Sequence, residues 1–182
     1  MCLISDTSFV IIKKIQVVGY IMIFTKNCII EPLKQHHGEE IYSLFSHQDV
    51  RAFLGGVPTK SAIFSSFDSM LHSPYPNSYF FISLKDSKNF IGLVSIDEYH
   101  EQTIYELSYQ FLPQYWGKGY AFEVLSAVLH YGFTKLQLAK IVAETQTANI
   151  ASCRILEKLG MQKIKVLERF GHEQAVYQLL RM

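Results

Sequence analysis

The sequence predicts a single domain of the α/β class, α+β in type, built on a mixed and mostly antiparallel sheet of about seven strands with helices on both faces. Three observations predict it. Between residues 78 and 112, aromatic and β-branched stretches are joined by turns too short for anything but an antiparallel meander. After Pro113 the apolar period switches from that of a strand to that of a helix. One strand–helix–strand crossover then links 103–112 to 140–145, so those two strands run parallel, with a right-handed connection as the strong default.

The elements follow in order. Phe9 to Phe24 is very apolar, but Lys13 and Lys14 interrupt it. Its longest unbroken part, Ile15 to Phe24, is about half of what a membrane span needs. It reads as a β-prone extension or a sheet-edge strand, and Met22 is a candidate start with residues 1–21 upstream of it. Cys28 to Glu31 is a short strand ended by Pro32. Gln35 to Phe45 is helical, with Ile41, Leu44 and Phe45 on one face. Leu54-Gly55-Gly56-Val57-Pro58 is a loop. Ser61 to Leu71 is a second helix, with Ile63, Phe67, Met70 and Leu71 at helical spacing. Strands follow at Ser78 to Leu84, Phe90 to Tyr99 and Thr103 to Leu112, with a turn at Asp86-Ser87-Lys88. Ala121, Leu125, Val128, Leu129, Gly132 and Phe133 share one face of a helix over Tyr120 to Leu136. Lys140 to Thr145 is a strand. Asn149 caps a helix that runs to Leu159 and stops at Gly160. Gln162 to Arg169 and Glu173 to Leu180 close the chain as a hairpin joined near Gly171-His172.

Composition narrows the function. Of 182 residues, 49% are hydrophobic and 18% charged, which excludes a disordered chain. A net charge of +1, with no Lys/Arg run longer than Lys13-Lys14, argues against a nucleic-acid partner. Nothing is long and apolar enough to imply a membrane helix. Cys2, Cys28 and Cys153 are scattered and form no zinc pattern, so free thiols, a cytoplasmic compartment and no metal are expected.

The segment that carries chemistry is Gln114-Tyr115-Trp116-Gly117-Lys118-Gly119-Tyr120-Ala121, between a strand and a long helix. Gly117 and Gly119 allow a tight turn and a close backbone approach to a ligand. The helix start leaves unpartnered amides and a partial positive charge, and its first acid, Glu123, comes late. It therefore suits an outside anion such as a pyrophosphate. It is not a Walker A loop, because Gly119-Tyr120 follows Lys118. It is not a dinucleotide fingerprint either, because Phe122 stands where the third glycine is needed.

This loop, with Glu123 and the later run Asn149-Ile150-Ala151-Ser152-Cys153-Arg154-Ile155-Leu156-Glu157-Lys158-Leu159-Gly160-Met161, resembles the GNAT acetyltransferases. It is most similar to their RimJ/RimL-type branch, the ribosomal-protein alanine N-acetyltransferases. Ile91-Gly92, Glu106-Leu107-Ser108-Tyr109 and Cys28-Ile29-Ile30-Glu31-Pro32-Leu33 add to the likeness. It covers about residue 23 to the C-terminus. Residues 1–21 stand outside it as an extension, and 22–182 form the domain. The resemblance implies a sheet splayed open between strands 103–112 and 140–145, with acetyl-CoA as cosubstrate in the split. The pyrophosphate would lie on the amides of Trp116, Gly117, Lys118, Gly119, Tyr120 and Ala121, beyond Gln114. The pantetheine arm would pair with free backbone near Tyr109, Phe111 and Leu112. Asn149 would contact CoA, and Ser152 would serve its thiol end.

Acetyl transfer needs a neutral amine, a polarised thioester and help for the departing thiolate. An α-amine with a pKa near 7.7–8.0 is about 10–15% neutral at pH 7, whereas a lysine is neutral to well under 0.1%. A peptide N-terminus thus needs only modest help, which a carboxylate acting through water can supply. Glu144, on the strand beside the split, and Glu106, on the polar face formed with Ser108 and Gln110, are the candidate bases. Ser152 is the candidate donor to the thiolate, because the position one turn on, where many relatives carry an acidic tyrosine, is Leu156. Cys153 falls on the apolar stripe with Ile150 and Leu156 and belongs to the core. The histidines read as solvated or capping residues. The expected activity is direct acetyl transfer to a primary amine by a monomer or a homodimer. The acceptor is a protein N-terminus or a small amine such as a polyamine, an amino acid or an amine antibiotic. A CoA-binding module without turnover is the alternative from another class.

Overall fold

The computed structural model describes residues 11–13, 21–100 and 104–181, with side chains throughout except at 11–13. Within them one nine-stranded sheet runs in the order β1-β2-β3-β4-β5-β6-β7-β9-β8. The strands are β1 (Ile11–Lys13), β2 (Met22–Phe24), β3 (Cys28–Pro32), β4 (Ser78–Leu84), β5 (Phe90–Glu98), β6 (Tyr105–Phe111), β7 (Lys140–Gln146), β8 (Gln162–Arg169) and β9 (His172–Leu180). The helices are α1 (Gly38–Phe45), α2 (Gln48–Arg51), α3 (Lys60–Leu71), α4 (Tyr120–Thr134) and α5 (Ile150–Lys158). All neighbouring strands are antiparallel except β6 and β7, the pair joined by the α4 crossover.

The expected seven strands are present, and β1 and β2 extend the sheet beyond them. Ile23 of β2 is fully buried against the main core, and β1 pairs with β2 through three residues at the sheet edge. The rest of the Phe9 to Phe24 reading, with Cys2 and the first residue of the Thr103 to Leu112 strand, lies outside the described residues. Gln35 to Phe45 divides into a 3-10 turn and α1. His37 at that junction is buried and stacks on Phe81 at 3.8 Å. Burial first, and then the neighbouring His36, push it down to about 4, and its Nδ1 accepts from the Lys34 amide. It is thus a neutral capping residue. The single turn α2 escapes the sequence because four residues show no period.

The sheet separates two layers of helix. Against one face, α4 packs Val124, Leu125 and Val128 on Ile30, Ile82, Val94 and Leu107, and α5 adds Cys153 and Leu156. Against the other, α1 and α3 pack Ile41, Leu44, Ile63 and Phe67 on Leu93. Gly92 lets β5 and β6 close up: a Cβ there would stand 2.4 Å from the Gln110 carbonyl oxygen, inside any tolerable contact. No helix of the described residues is long and apolar enough to cross a membrane.

Because β1 adds only three paired residues at an edge, the chain from Met22 onward should fold without what precedes it. Unfolding of that shorter chain is expected to stay cooperative, with a thermal midpoint within about 10 °C of the full chain, or roughly 3–5 kcal/mol for a domain of this size. A larger drop would make the N-terminal segment an integral part of the sheet.

Candidate active site

The site begins where the sheet parts. β6 and β7 pair only at Tyr105↔Ile141 and Glu106↔Val142. β6 then stays with β5 as far as Phe111, while β7 stays with β9 as far as Gln146. The facing edges diverge, and backbone groups on them lose a strand partner, which a ligand amide can replace. The Glu144 amide, next along β7, is met by a side chain instead: it donates to Glu106 Oε1 at 3.2 Å. Glu106 therefore sits at the apex of the split.

The glycine loop lies at the open end. Gly117 and Gly119 have φ of 69° and 84°, a region that disfavours other residues, and a Cβ at either would point into open space. The amides of Gly117, Lys118, Gly119, Tyr120 and Ala121 donate to no acceptor among the described residues. They converge with the N-terminus of α4, whose fifteen residues give it a full macrodipole. Glu123, in the first turn, is turned away. Its carboxylate accepts from the amide and side chain of Asn27 at 2.6 and 2.7 Å. Burial raises its pKa, but hydrogen bonds from Thr25, Asn27 and Cys28 outweigh that and hold it below the usual range. A pyrophosphate at the loop would thus meet donors and no competing acid. Two expectations need correction. The Trp116 amide is already used by the Pro113 carbonyl, so the free series starts at Gly117. The Phe111 carbonyl accepts Trp116 Nε1 at 2.6 Å, and Leu112 bonds to Ile91 and Tyr115, so of the backbone expected to be free at Tyr109, Phe111 and Leu112, the Phe111 carbonyl and Leu112 are already taken. The 3-10 turn Pro113–Tyr115 that launches the loop folds back onto the strand end and takes up those groups.

Strand alternation gives β6 two chemistries. On the face toward α2, Arg51 Nη1 reaches Gln110 Oε1 at 3.4 Å, and Gln146 Nε2 donates to the Phe53 carbonyl. The same face carries Asp97, directly opposite Glu106 in the β5–β6 register. Asp97 is held by Tyr79 and Ser95 hydroxyls, and burial pushes its pKa up. Glu106 is raised to about 7, by burial first, with the charges of Asp97 and Glu144 adding to it and the Glu144 amide and Arg169 opposing. Glu144 is differently placed. Its Oε2 takes Tyr99 Oη at 2.5 Å and Arg169 Nη1 at 2.6 Å, and its Oε1 is buried without a partner.

On the opposite face, Asn149 Oδ1 caps α5 by accepting the Ser152 amide at 3.1 Å. The Ser152 hydroxyl meets Tyr109 Oη at 2.7 Å. The structure therefore brings Glu106 and Glu144 together on one side of the split, and Tyr109, Asn149 and Ser152 on the other. Asp97 and Arg169 escape the sequence reading. Asp97 has a signal, its place across the hairpin from Glu106, that only the exact register reveals. Arg169 has none, because its reach to Glu144 depends on how β8 and β9 fold back.

Known proteins share this fold. Residues 27–162 match the family described as an Acetyltransferase (GNAT) domain. An uncharacterized N-acetyltransferase of Bacillus subtilis, YoaA, is 29% identical over 157 residues, covering 82% of this chain and 87% of its own. A GNAT-family acetyltransferase from Bacillus anthracis superposes with a TM-score of 0.76 at 25% identity, covering 87% of this chain and 98% of that one. The spermidine N-acetyltransferase of Vibrio cholerae, solved with CoA and spermine, has the same fold, with a TM-score of 0.74 at 20% identity over 84% of this chain and 95% of its own. With a family match over about three quarters of its length, on a sheet that parts at one parallel pair, the chain belongs to the GNAT family and is an N-acetyltransferase.

Proposed function

We propose that the enzyme moves an acetyl group from acetyl-CoA directly to a primary amine held on the Glu106 face of the split. The observation that carries this reading is the pairing of a strand split with five unbonded amides at its open end. Those amides would hold the pyrophosphate, and the β6 backbone facing the split at Leu107 and Tyr109 would pair with the pantetheine arm. Glu106 takes the amine's proton, directly or through water. A carboxyl raised to about 7 is both ionised in part and basic enough near neutral pH. Glu144, already engaged by a guanidinium and a phenol, orients that wall rather than accepting the proton. Ser152 supplies a hydrogen bond to the departing thiolate from the other side.

The loop and the Asn149 helix support a RimJ/RimL-type placement, and with it a protein N-terminal α-amine as acceptor. The carboxylates Asp97, Glu106 and Glu144 favour a second reading, a small cationic amine, as does the fold shared with a spermidine N-acetyltransferase. A thiol-release assay with acetyl-CoA against a panel of peptides, polyamines, amino acids and aminoglycosides tests both. Release with peptides alone supports the first reading, and release with polyamines supports the second. Binding of acetyl-CoA with no release on any amine would leave a binding module.

Gly119→Glu sets a carboxylate where the pyrophosphate would lie. Calorimetric affinity for acetyl-CoA should fall by well over tenfold, about 1.4 kcal/mol, with the fold retained. Unchanged affinity would remove this loop as the binding site.

Wild-type kcat/KM should rise with pH through about 7 as Glu106 ionises, and Glu106→Gln should lose about 10²-fold together with that ionisation. The same variant has a stability signature. Folded Glu106 keeps its proton up to about pH 7, against 4.5 when unfolded, so the native state binds more protons in that window. Stability then falls as pH rises from 4.5 to 7. Glu106→Gln should remove that slope, a difference on the order of 3 kcal/mol, seen as thermal midpoints that converge below pH 4.5 and favour the variant at pH 8.

A further inference from the structure

Hydroxyls in and just after the helices of this protein commonly turn back on their own backbone. Ser46, Ser69, Ser73, Ser126 and Thr134 each donate to the carbonyl four residues earlier, at 2.7–3.0 Å. Ser152 does not. The only partner of its Oγ among the described residues is Tyr109 Oη, across 43 residues of chain, and Ser152 Oγ is in turn the only partner of that phenol. The bond joins β6 to the first turn of α5, and so crosses the split on the side away from Glu106. The backbone of Ser152 is itself held by the Asn149 cap, so the hydroxyl position is set from both ends.

A hydroxyl has one hydrogen to give and two lone pairs to receive. If the serine gave its hydrogen to the phenol, it would have nothing for a ligand. Burial pushes the Tyr109 phenol up to about 12, so it carries its proton throughout the working pH range and serves as a donor. We propose that Tyr109 is a positioning residue for acetyl transfer: its phenol donates to Ser152 Oγ, which leaves the serine hydrogen for the departing thiolate of acetyl-CoA. This rests on the reading of Ser152 given above. In the reaction the carbon–nitrogen bond forms, the carbon–sulfur bond breaks, and its electron pair leaves on sulfur. The proton that the neutral amine surrenders on becoming an amide is the one the thiolate finally takes. Ser152 and Tyr109 lose no proton. A thiol near 8.5 could not take one outright from a phenol some three units higher. The pair acts as a polarised chain of hydrogen bonds, each link strengthening the next.

The test is a double-mutant cycle on the full chain, read in single-turnover rate, acetyl-CoA affinity and thermal midpoint. Tyr109→Phe keeps the ring and is expected to slow turnover about tenfold with acetyl-CoA affinity nearly unchanged. Ser152→Ala should be slower still, and adding Tyr109→Phe to it should cost nothing more. Across acetyl thioesters whose thiols differ in pKa, Tyr109→Phe should steepen the dependence of rate on thiol pKa, which a packing role would not. Tyr109→3-fluorotyrosine, nearly isosteric and a stronger donor, should raise the rate, and it keeps the test alive if the phenylalanine variant fails to fold. An impaired Ser152→Ala beside a normal Tyr109→Phe overturns this inference alone. So do losses that multiply in the double variant, a loss confined to affinity, or a fluorotyrosine variant without effect. Full activity in Ser152→Ala overturns the serine's role as well.

Discussion

The structure depends on the point where one parallel strand pair stops. β6 and β7 hold two registers together and then part, and a side chain marks the place: Glu106 takes the Glu144 amide just beyond the last pairing. On the far side of each strand the antiparallel ladders continue to Phe111 and Gln146, so the sheet opens without unravelling. An open ladder in the middle of a sheet leaves polar backbone groups without partners, which is costly unless a ligand or water serves them. The split is thus a site with a built-in need for a ligand rather than a defect in the sheet.

What enters the split is oriented by the helix that bridges it. The α4 crossover begins at the open end, and its two left-handed glycines turn the chain so that five amides face outward. An acid at a helix start would normally satisfy such groups. Here the first-turn acid, Glu123, is bound to Asn27 in the β2–β3 turn, which ties the helix to the sheet and turns a negative charge away from the loop amides. One contact thereby serves packing and leaves those amides without a competing acid.

The alternation of β6 divides the chemistry between two sides. Glu106, Ser108 and Gln110 face the polar layer beneath α2, and Leu107 and Phe111 join the α4–α5 core, with Tyr109 reaching the hydroxyl of Ser152. The acidic side gathers Asp97, Glu106 and Glu144 in partial burial. Burial, with the charges of Asp97 and Glu144 added to it, raises Glu106 to about 7, while Glu144 is paired with Arg169. On the hydroxyl side, among the described residues, no carboxylate is bonded to Tyr109 or Ser152. The proposed proton acceptor and the proposed hydrogen-bond donor to the thiolate thus stand on opposite faces of one strand.

Much of this was legible in the chain. Short turns between alternating stretches determined the meander, the change of period after Pro113 determined the crossover, and Gly117, Gly119 and the Asn149 cap marked the two helix starts. These are local signals, set by backbone sterics and side-chain spacing within about ten residues. Glu106, Glu144 and Ser152 could be named as candidates for the same reason. The tertiary structure alone decided their surroundings. That Arg169 and Tyr99 occupy Glu144 and that Tyr109 holds Ser152 are contacts across 25–45 residues of chain, and that Asp97 stands across from Glu106 follows from the β5–β6 register. The carbonyl of Phe111 is withdrawn by an indole only five residues on, through a fold-back that no residue spacing marks. Burial and partnership set what a carboxylate or a hydroxyl can do, and both arise only when distant strands find their register.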